Sequence, residues 1–182
     1  HHRSSAASDV YKRQQIHMVF IVVPRFNITT LITMIETIRI ANYLAPASAY
    51  SWEVASFDGS KITASNGMTA TIKTATDNLR SAEFVFILGS WGTEHYRNPK
   101  LTAWLRKRAR AGERICGVEL GSYIVARAGL LDGKSATIHW SWLNGFKENF
   151  DRVEVEESLF TLDNKVMTCL LYTSDAADDL WC

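Results

Sequence analysis

Runs of consecutive apolar residues alternate along this chain with segments in which apolar residues recur at helical spacing. Three of the runs, at residues 17–23, 84–88 and 115–118, contain no Asp, Glu, Lys or Arg. A strand that is apolar at nearly every position is buried on both faces, as in a parallel sheet that helices cover. These three runs are therefore predicted to be the central strands of one sheet.

Two longer segments between these runs follow the helical period. Residues 28–44 carry apolar side chains that are predicted to dominate one side of a helix, namely Leu31, Ile32, Ile35, Ile38 and Ile40. Pro99 begins a second helix, which Gly112 ends. Its inward side chains are predicted to be Leu101, Trp104 and Leu105. Residues 122–128 and 140–150 are also predicted to be helical.

Shorter β-like segments complete the pattern, at residues 52–57, 68–72, 153–155, 159–162 and 166–167. Strands that alternate with amphipathic helices indicate an α/β fold, here a doubly wound, mostly parallel sheet with helices on both faces. In such sheets, ligands bind beyond the carboxyl ends of the strands. The residues that follow the central strands are therefore the candidates for a functional site.

The ends of the three central strands carry distinct motifs. Pro24-Arg25-Phe26 follows the first strand, with Glu36 on the next helix, and Gly89-Ser90-Trp91-Gly92 follows the second. After the third comes Gly117-Val118-Glu119-Leu120-Gly121, a strand-to-helix elbow whose two glycines let the backbone pass close to its neighbours. An enzyme with such an elbow carries Ser or Cys at its centre as the nucleophile, whereas this chain carries Glu119.

Composition mainly excludes other classes of protein. The chain has 182 residues, 47% of them apolar, and a formal charge of +1, which favours one domain without the charge of a nucleic-acid-binding surface. The basic run Arg106-Lys107-Arg108 falls mostly opposite the apolar side of its helix and is predicted to be a solvated face. No apolar run approaches the roughly 20 residues of a membrane span or resembles a signal peptide. Three scattered cysteines predict no disulfide framework or zinc site, and a cytoplasmic location is expected.

The two ends of the chain are related at the level of DNA. Residues 169–178 can be encoded by a string whose reverse complement, read one base in, encodes residues 5–13. One oligonucleotide that flanks an insert explains this relation, and the string resembles a sequencing adapter. We therefore expect residues 1–14 and 169–182 to be translated adapter, and residues 15–168 to be one domain that is cut off at its carboxyl end.

Several motifs in residues 15–168 resemble, in order and spacing, those of one protein family. They are the elbow, Ala126-Arg127-Ala128-Gly129-Leu130-Leu131-Asp132-Gly133, Thr137-Ile138-His139-Trp140, Pro24-Arg25-Phe26 and the segments 35–42, 64–69 and 159–163. Together they resemble the amino-terminal domain of GlxA-type AraC-family transcription regulators, which belongs to the PfpI-like, class I glutamine amidotransferase-like superfamily. The resemblance implies a flavodoxin-like sheet with a pocket at the elbow. Within the family it is closest to regulators of choline, carnitine, glycine betaine or arginine breakdown.

The resemblance also implies roles for single residues. In the enzymes of this superfamily, the elbow residue is a cysteine, with a glutamate from the first helix and often a histidine nearby. Glu36 matches that glutamate, and His139 falls where the histidine usually lies. Glu119 departs from the pattern, which puts thiol-based chemistry in doubt, and Cys116 cannot substitute because it lies inside the preceding strand. The residues predicted to bind a ligand are Glu36, Trp91, Glu119, Leu120, His139 and Trp140, and no catalytic residue, metal ligand or cofactor is predicted.

Two interpretations of these residues stay open. If Glu36 and Glu119 approach each other, one is expected to hold a proton with a raised pKa, and the pair would suit a cationic ligand that stacks on Trp91, Trp140 or Trp142. Alternatively, Glu119 only caps the helix that follows it. Separately, the alternative for His139 is a structural hydrogen bond within the core, and the alternative for the tryptophans is a place in the core or at a dimer surface.

The functional expectation is a non-catalytic, ligand-sensing domain of a cytoplasmic transcription regulator. Its effector would be a small nitrogenous metabolite, either a quaternary amine or an arginine-like molecule. DNA would be bound only through a helix-turn-helix domain that residues 15–168 do not contain, and the resemblance implies a homodimer. One alternative is a small hydrolase, hydratase or lyase that uses Glu119 or Glu36 as a general base. Another is a remnant fold that serves only oligomerisation.

Overall fold

The computed structural model describes residues 15–46 and 48–170. The segment 1–14 that we expect to be adapter lies outside the described residues, as does 171–182. Cys169 and Leu170 are described, and Cys169 pairs with Val118 and Phe160 at the end of the last strand. Pairing in a sheet does not test the origin of a residue, so the adapter assignment stays a prediction.

The strands and helices alternate in the order expected of an α/β fold. The strands are β1 (Ile16–Val22), β2 (Tyr50–Ala55), β3 (Lys61–Thr63), β4 (Thr69–Thr71), β5 (Phe84–Gly89), β6 (Arg114–Glu119), β7 (Ser135–Ala136), β8 (Glu154–Val155), β9 (Phe160–Asp163) and β10 (Val166–Cys169). The α-helices are α1 (Ile28–Leu44), α2 (Pro99–Arg110), α3 (Ser122–Arg127) and α4 (Leu143–Asn149). Short 3₁₀ helices occur at Thr76–Asn78 and Trp140–Trp142.

The central sheet has six strands in the order β2-β1-β5-β6-β10-β9. All neighbouring pairs are parallel except β10 and β9, which form an antiparallel hairpin at the edge. The predicted doubly wound, mostly parallel sheet is therefore confirmed. The carboxyl ends of β1, β5 and β6 lie side by side, which brings the loops that follow these strands to one edge.

Each central strand contributes side chains to two separate cores. In β1, Val19 and Ile21 belong to the core shared with α2, α3 and α4, whereas Phe20 and Val22 belong to the core that α1 covers. The same alternation continues in the neighbouring strands, and the rings of Phe20 and Phe86 stack with their centroids 5.1 Å apart. Burial on both faces explains why these strands are apolar at nearly every position.

The helix α1 has the predicted ends but a different buried side. Asn27 caps it, because its side-chain oxygen accepts hydrogen bonds from the backbone amides of Thr29 and Thr30. The prediction that Ile32 and Ile40 face inward with Leu31 is wrong, since they are 53% and 47% exposed. Apolar residues lie nearly all round this helix, so its pattern does not determine which side packs against the sheet.

Other differences concern short elements. β3 and β4 form a separate antiparallel hairpin, of which only the second strand was predicted. The helix predicted at residues 140–150 begins as a 3₁₀ turn and becomes α-helical at Leu143. β7 was not predicted, because two residues are too few to show a periodicity; it pairs with β8 in a small parallel ladder.

The basic run on α2 is predicted to be a solvated face, but the Arg108 side chain is largely buried. Its Nε lies 2.8 Å from the carboxylate of Glu113, and the two side chains are almost wholly buried. Its guanidinium also packs over the ring of Trp104, 4.9 Å from the centroid. Arg108 therefore ties α2 to the start of β6 and is a structural residue.

A buried histidine lies at the amino-terminal end of the sheet, away from the carboxyl ends of the strands. The Nδ1 atom of His17 is 3.0 Å from the hydroxyl of Ser51 and 2.9 Å from a guanidinium nitrogen of Arg80, and its Nε2 is 3.2 Å from Glu53. Its backbone amide donates to Glu83. Burial and the charge of Arg80 lower the pKa of His17, although Glu53 and Glu83 oppose the shift.

We expect His17 to make the stability of the domain depend on pH. Because its pKa is lower in the folded chain than its ordinary value of 6.5, protonation favours the unfolded chain. This contribution to stability is complete above the ordinary pKa and is lost as the pH falls through the folded pKa. Urea denaturation between about pH 7.5 and about pH 5.5 measures it. His17→Gln should lose less stability over this range than the wild type; equal slopes for the two proteins would contradict the assignment.

Among the described residues, no helix is both long enough and apolar enough to cross a membrane.

Candidate functional site

The predicted elbow is present at the junction of β6 and α3. Glu119 ends β6 with a positive φ of 52°, a conformation that costs energy for a residue with a side chain and that recurs at functional sites. Its side chain is 6% exposed. The two glycines of the elbow are needed for close approach: a Cβ on Gly117 would lie 2.8 Å from the Cα of Ser122, and one on Gly121 would lie 2.0 Å from the carbonyl oxygen of Ile87.

A cavity of about 400 Å³ opens above the elbow, at the carboxyl ends of the central strands. Its walls come from the loops after β1 and β5, from the tip of the β3–β4 hairpin, from the elbow and from the segment before the 3₁₀ turn. The lining residues are Arg25, Asn27, Ser65, Asn66, Ser90, Trp91, Glu119, Leu120 and His139. Four of the six residues predicted to bind a ligand therefore lie together, namely Trp91, Glu119, Leu120 and His139.

Glu36 is not among the residues that line this cavity. Its carboxylate accepts hydrogen bonds from Arg39, one turn later on α1, at distances of 2.7–3.0 Å. These hydrogen bonds lower the pKa of Glu36, opposite to the raised pKa expected of a carboxylate pair. The structure thus places Glu36 outside the lining of this cavity, and a ligand-binding role for it stays a prediction. Because another side of α1 packs on the sheet, this carboxylate faces solvent.

Trp140 also lies outside the cavity. It is 59% exposed and lines a different depression, beside Leu143 and Leu159. Its ring centroid is 5.4 Å from that of His139, so the two side chains are neighbours that face different spaces. The Nδ1 atom of His139 accepts a hydrogen bond from the backbone amide of Ser141, at 3.3 Å. His139 thus makes a local hydrogen bond and also lines the cavity.

The sequence motifs did not assign a role to five residues that line the cavity. Arg25 stands at a positive φ of 65°, and its backbone amide donates to the carbonyl of Thr63. Ser65 donates its amide to the carbonyl of Phe26, so the hairpin tip is docked on the loop after β1. The hairpin tip reaches the cavity through contacts between residues about 40 apart in the chain, such as the one between Ser65 and Phe26. The remaining residues of the five are Asn27 and Ser90.

Arg127 fixes the position of the loop after β5, which carries Ser90 and Trp91. The guanidinium of Arg127, on α3, donates to the carbonyls of Thr93, Glu94 and Tyr96. Burial, together with the charge of Arg97, lowers the pKa of Arg127 to about 10, so it stays charged at neutral pH. Arg127 therefore acts as a positioning residue for the wall that contains Trp91.

The two cysteines that the structure describes are poor nucleophiles. Burial raises the pKa of the Cys116 thiol far above its usual value. Burial and the nearby charge of Glu119 raise the pKa of Cys169 to about 11. Because the thiolate is the reactive form, neither side chain provides an activated thiol near the elbow at neutral pH.

Comparison with known proteins agrees with this geometry. The sequence profile of the DJ-1/PfpI family matches residues 25–181. The HTH-type transcriptional regulator CdhR of Pseudomonas aeruginosa is 34% identical over 149 residues, which are 82% of this chain and 44% of CdhR. GlxA of Rhizobium meliloti, another HTH-type transcriptional regulator, is 30% identical over 166 residues, which are 91% of this chain and 51% of GlxA. The chain thus spans about half the length of these relatives.

The fold recurs in solved structures. An AraC family transcriptional regulator from Pseudomonas putida superimposes with a TM-score of 0.76 at 21% identity, covering 85% of this chain and 83% of that chain. The sequence profile and the regulator relatives agree with the elbow and with the order of strands in the sheet. The resemblance to GlxA-type regulators is therefore confirmed. The chain belongs to the DJ-1/PfpI family, in which the relatives it matches are HTH-type transcriptional regulators.

Proposed function

We propose that this domain is the effector-binding part of a cytoplasmic HTH-type transcription regulator and that it binds a small nitrogenous cation without transforming it. The observation that carries the proposal is the carboxylate of Glu119, which is almost fully buried at the elbow and lines the cavity. The elbow position is the one at which an enzyme of this shape holds its nucleophile. A carboxylate there recognises positive charge.

The chemistry of the cavity fits a quaternary amine or a guanidinium group. Trp91 lines it with a largely exposed ring, and a cation over an indole face gains about 0.5–2 kcal/mol. The volume of about 400 Å³ lies in the range of small-molecule sites. Charge from Glu119 and an aromatic wall from Trp91 together select a cation over a neutral molecule of the same size.

The regulator relatives support a sensing role over a catalytic one. The raised pKa values of Cys116 and Cys169 argue against thiol chemistry in the described part of the chain. Binding of an effector would shift the balance between conformations and thereby change how DNA is bound. We place DNA binding in the part of the regulator relatives that this chain does not match.

We also propose that the domain forms a homodimer through the outer side of α1. Ile32, Tyr43 and Leu44 are exposed there, around one ion pair between Glu36 and Arg39. When two copies of such a helix meet in opposite directions, each glutamate can face the arginine of the other copy, which makes the surface self-complementary. A monomeric mass in sedimentation at micromolar concentration would contradict this proposal.

Ligand-dependent stabilisation tests the sensing role. We expect glycine betaine, carnitine or arginine to raise the melting temperature of the wild-type chain, because a ligand at 100 times its Kd adds about 2.7 kcal/mol of stability. Glu119→Gln keeps the size of the side chain but removes its charge, and it should weaken binding about 30-fold or more. Differential scanning fluorimetry and isothermal titration calorimetry measure these effects.

Glu148→Gln is the matched control, because Glu148 is exposed on α4, outside the lining of the cavity, and its exchange should leave binding unchanged. Turnover of small amides or aldehydes that disappears in Glu119→Gln would favour an enzyme instead. A complete lack of response to all three compounds would contradict the proposal.

A further inference from the structure

Arg25 is the second charged residue that lines the cavity, and its position is set by several contacts. It follows β1, and its backbone amide donates to the carbonyl of Thr63 at 2.8 Å. Its side chain lies along the loop after β5, since a Cβ on Gly92 would be only 3.4 Å from the Cδ of Arg25. Arg25 therefore spans from the loop after β1 to the loop that carries Trp91.

Backbone strain singles out Arg25 together with Glu119. In the part of the chain that the structure describes, the non-glycine residues with positive φ are Arg25, Glu119 and Asn164. Asn164 stands in the turn between β9 and β10, and asparagine tolerates this conformation better than most residues. The other two carry opposite charges and line the same cavity. Strain of this kind persists where the surrounding structure enforces it, and it clusters at ligand sites.

The guanidinium of Arg25 is available to a ligand. Among the described residues it takes part in no ion pair: the arginine ion pairs there involve Arg39, Arg80, Arg108 and Arg152. Arginine presents five N–H donors in a planar fork that matches a carboxylate. An exposed arginine on a cavity wall can therefore bind an anion without first breaking an ion pair.

Two amide side chains in the same wall add hydrogen-bond donors. The Oδ1 atom of Asn27 already accepts from the amides of Thr29 and Thr30, and the Oδ1 atom of Asn66 accepts from the amide of Met68. The NH₂ group of each side chain is then what remains for a ligand, because an amide has one oxygen and one nitrogen. Arg25, Asn27 and Asn66 together make this side of the cavity a donor-rich wall that suits an anionic group.

We infer that the cavity binds a zwitterion: Arg25 takes the carboxylate of the ligand, while Glu119 and Trp91 take its cationic group. This inference rests on the proposed function, because it assigns a second charge to the same ligand. Each charge meets its opposite within one cavity of about 400 Å³. A plain cation of similar size would bind Glu119 but would leave the donors of Arg25 without a partner and would be repelled by its charge.

Matched pairs of compounds test the inference. Glycine betaine and choline share a trimethylammonium group and differ in a carboxylate against a hydroxymethyl group; arginine and agmatine differ in the carboxylate alone. We expect the wild-type chain to bind the zwitterion of at least one pair at least about tenfold more tightly than its partner, as measured by isothermal titration calorimetry. Arg25→Met should abolish this preference by weakening the zwitterion only, and Arg25→Lys should leave part of it.

The remaining variants separate the two proposals. Glu119→Gln should weaken both members of a pair, and Arg110→Met, which removes an exposed charge at the end of α2, should change neither. Circular dichroism verifies that each variant is folded. If choline binds as tightly as glycine betaine and agmatine as tightly as arginine, while Glu119→Gln still weakens all of them, Arg25 has no such role and the proposed function stands. If none of the four compounds binds, both proposals are overturned.

Discussion

Gly121→Ala is expected to disrupt the elbow and to lower the free energy of unfolding by about 3 kcal/mol or more. The added Cβ would lie 2.0 Å from the carbonyl oxygen of Ile87 and 2.8 Å from that of Val118. Both atoms belong to the backbone of central strands that are buried on their two faces, so neither can move aside without breaking the sheet. The constraint at Gly121 is lack of space, because its own φ of −57° suits any residue.

Urea denaturation followed by circular dichroism measures this loss of stability. Gly145→Ala is the matched control, since Gly145 lies inside α4 and its Cβ would meet the hydroxyl oxygen of Tyr123 at an ordinary distance of 3.6 Å. It should leave the stability unchanged or raise it by up to about 1 kcal/mol, because alanine favours a helix over glycine. Equal unfolding midpoints for Gly121→Ala and the wild type would show that the close approach at the elbow is not as described.

Glu113→Ala is expected to cost about 3–5 kcal/mol, the second large effect. The carboxylate of Glu113 lies 2.8 Å from the Nε of Arg108 and accepts a hydrogen bond from the hydroxyl of Ser81, at 2.9 Å. The Arg108 side chain is 12% exposed and would keep its charge after the substitution. Its hydrogen bonds to the carbonyls of Leu79 and Arg80 would then hold an unpaired cation inside the protein.

Two comparisons make the test of this ion pair specific. Arg152→Ala breaks the exposed pair with Asp132 and should leave the unfolding midpoint unchanged, because water screens such pairs. The double variant with Arg108→Met and Glu113→Leu should recover much of the stability that Glu113→Ala loses, since it removes both charges and fills the space. If the double variant is less stable than Glu113→Ala, the unpaired charge is not the cause of the loss.

The candidate site shows which features a short sequence motif predicts and which it does not. The elbow was predicted from the sequence because its glycines and central residue are neighbours in the chain, and the structure has the turn where the motif placed it. Glu36 was placed in the site by resemblance alone, and its ion pair with Arg39 keeps it at the surface. Arg25 lies in a sequence motif that predicts no role for it, because a single arginine after a strand indicates no function until its φ angle and its neighbours are known.

The sequence by itself determined the fold class, the ends of α1, the three central strands and the elbow, because these depend on periodicity, capping and glycine over a few adjacent residues. Only the tertiary structure decided which side of α1 is buried, that Trp140 faces away from the cavity and that Arg25 and Glu119 share it. These features depend on how helices rotate against the sheet and on which loops meet at its edge. Such contacts join residues that are far apart in the chain, so no local pattern records them.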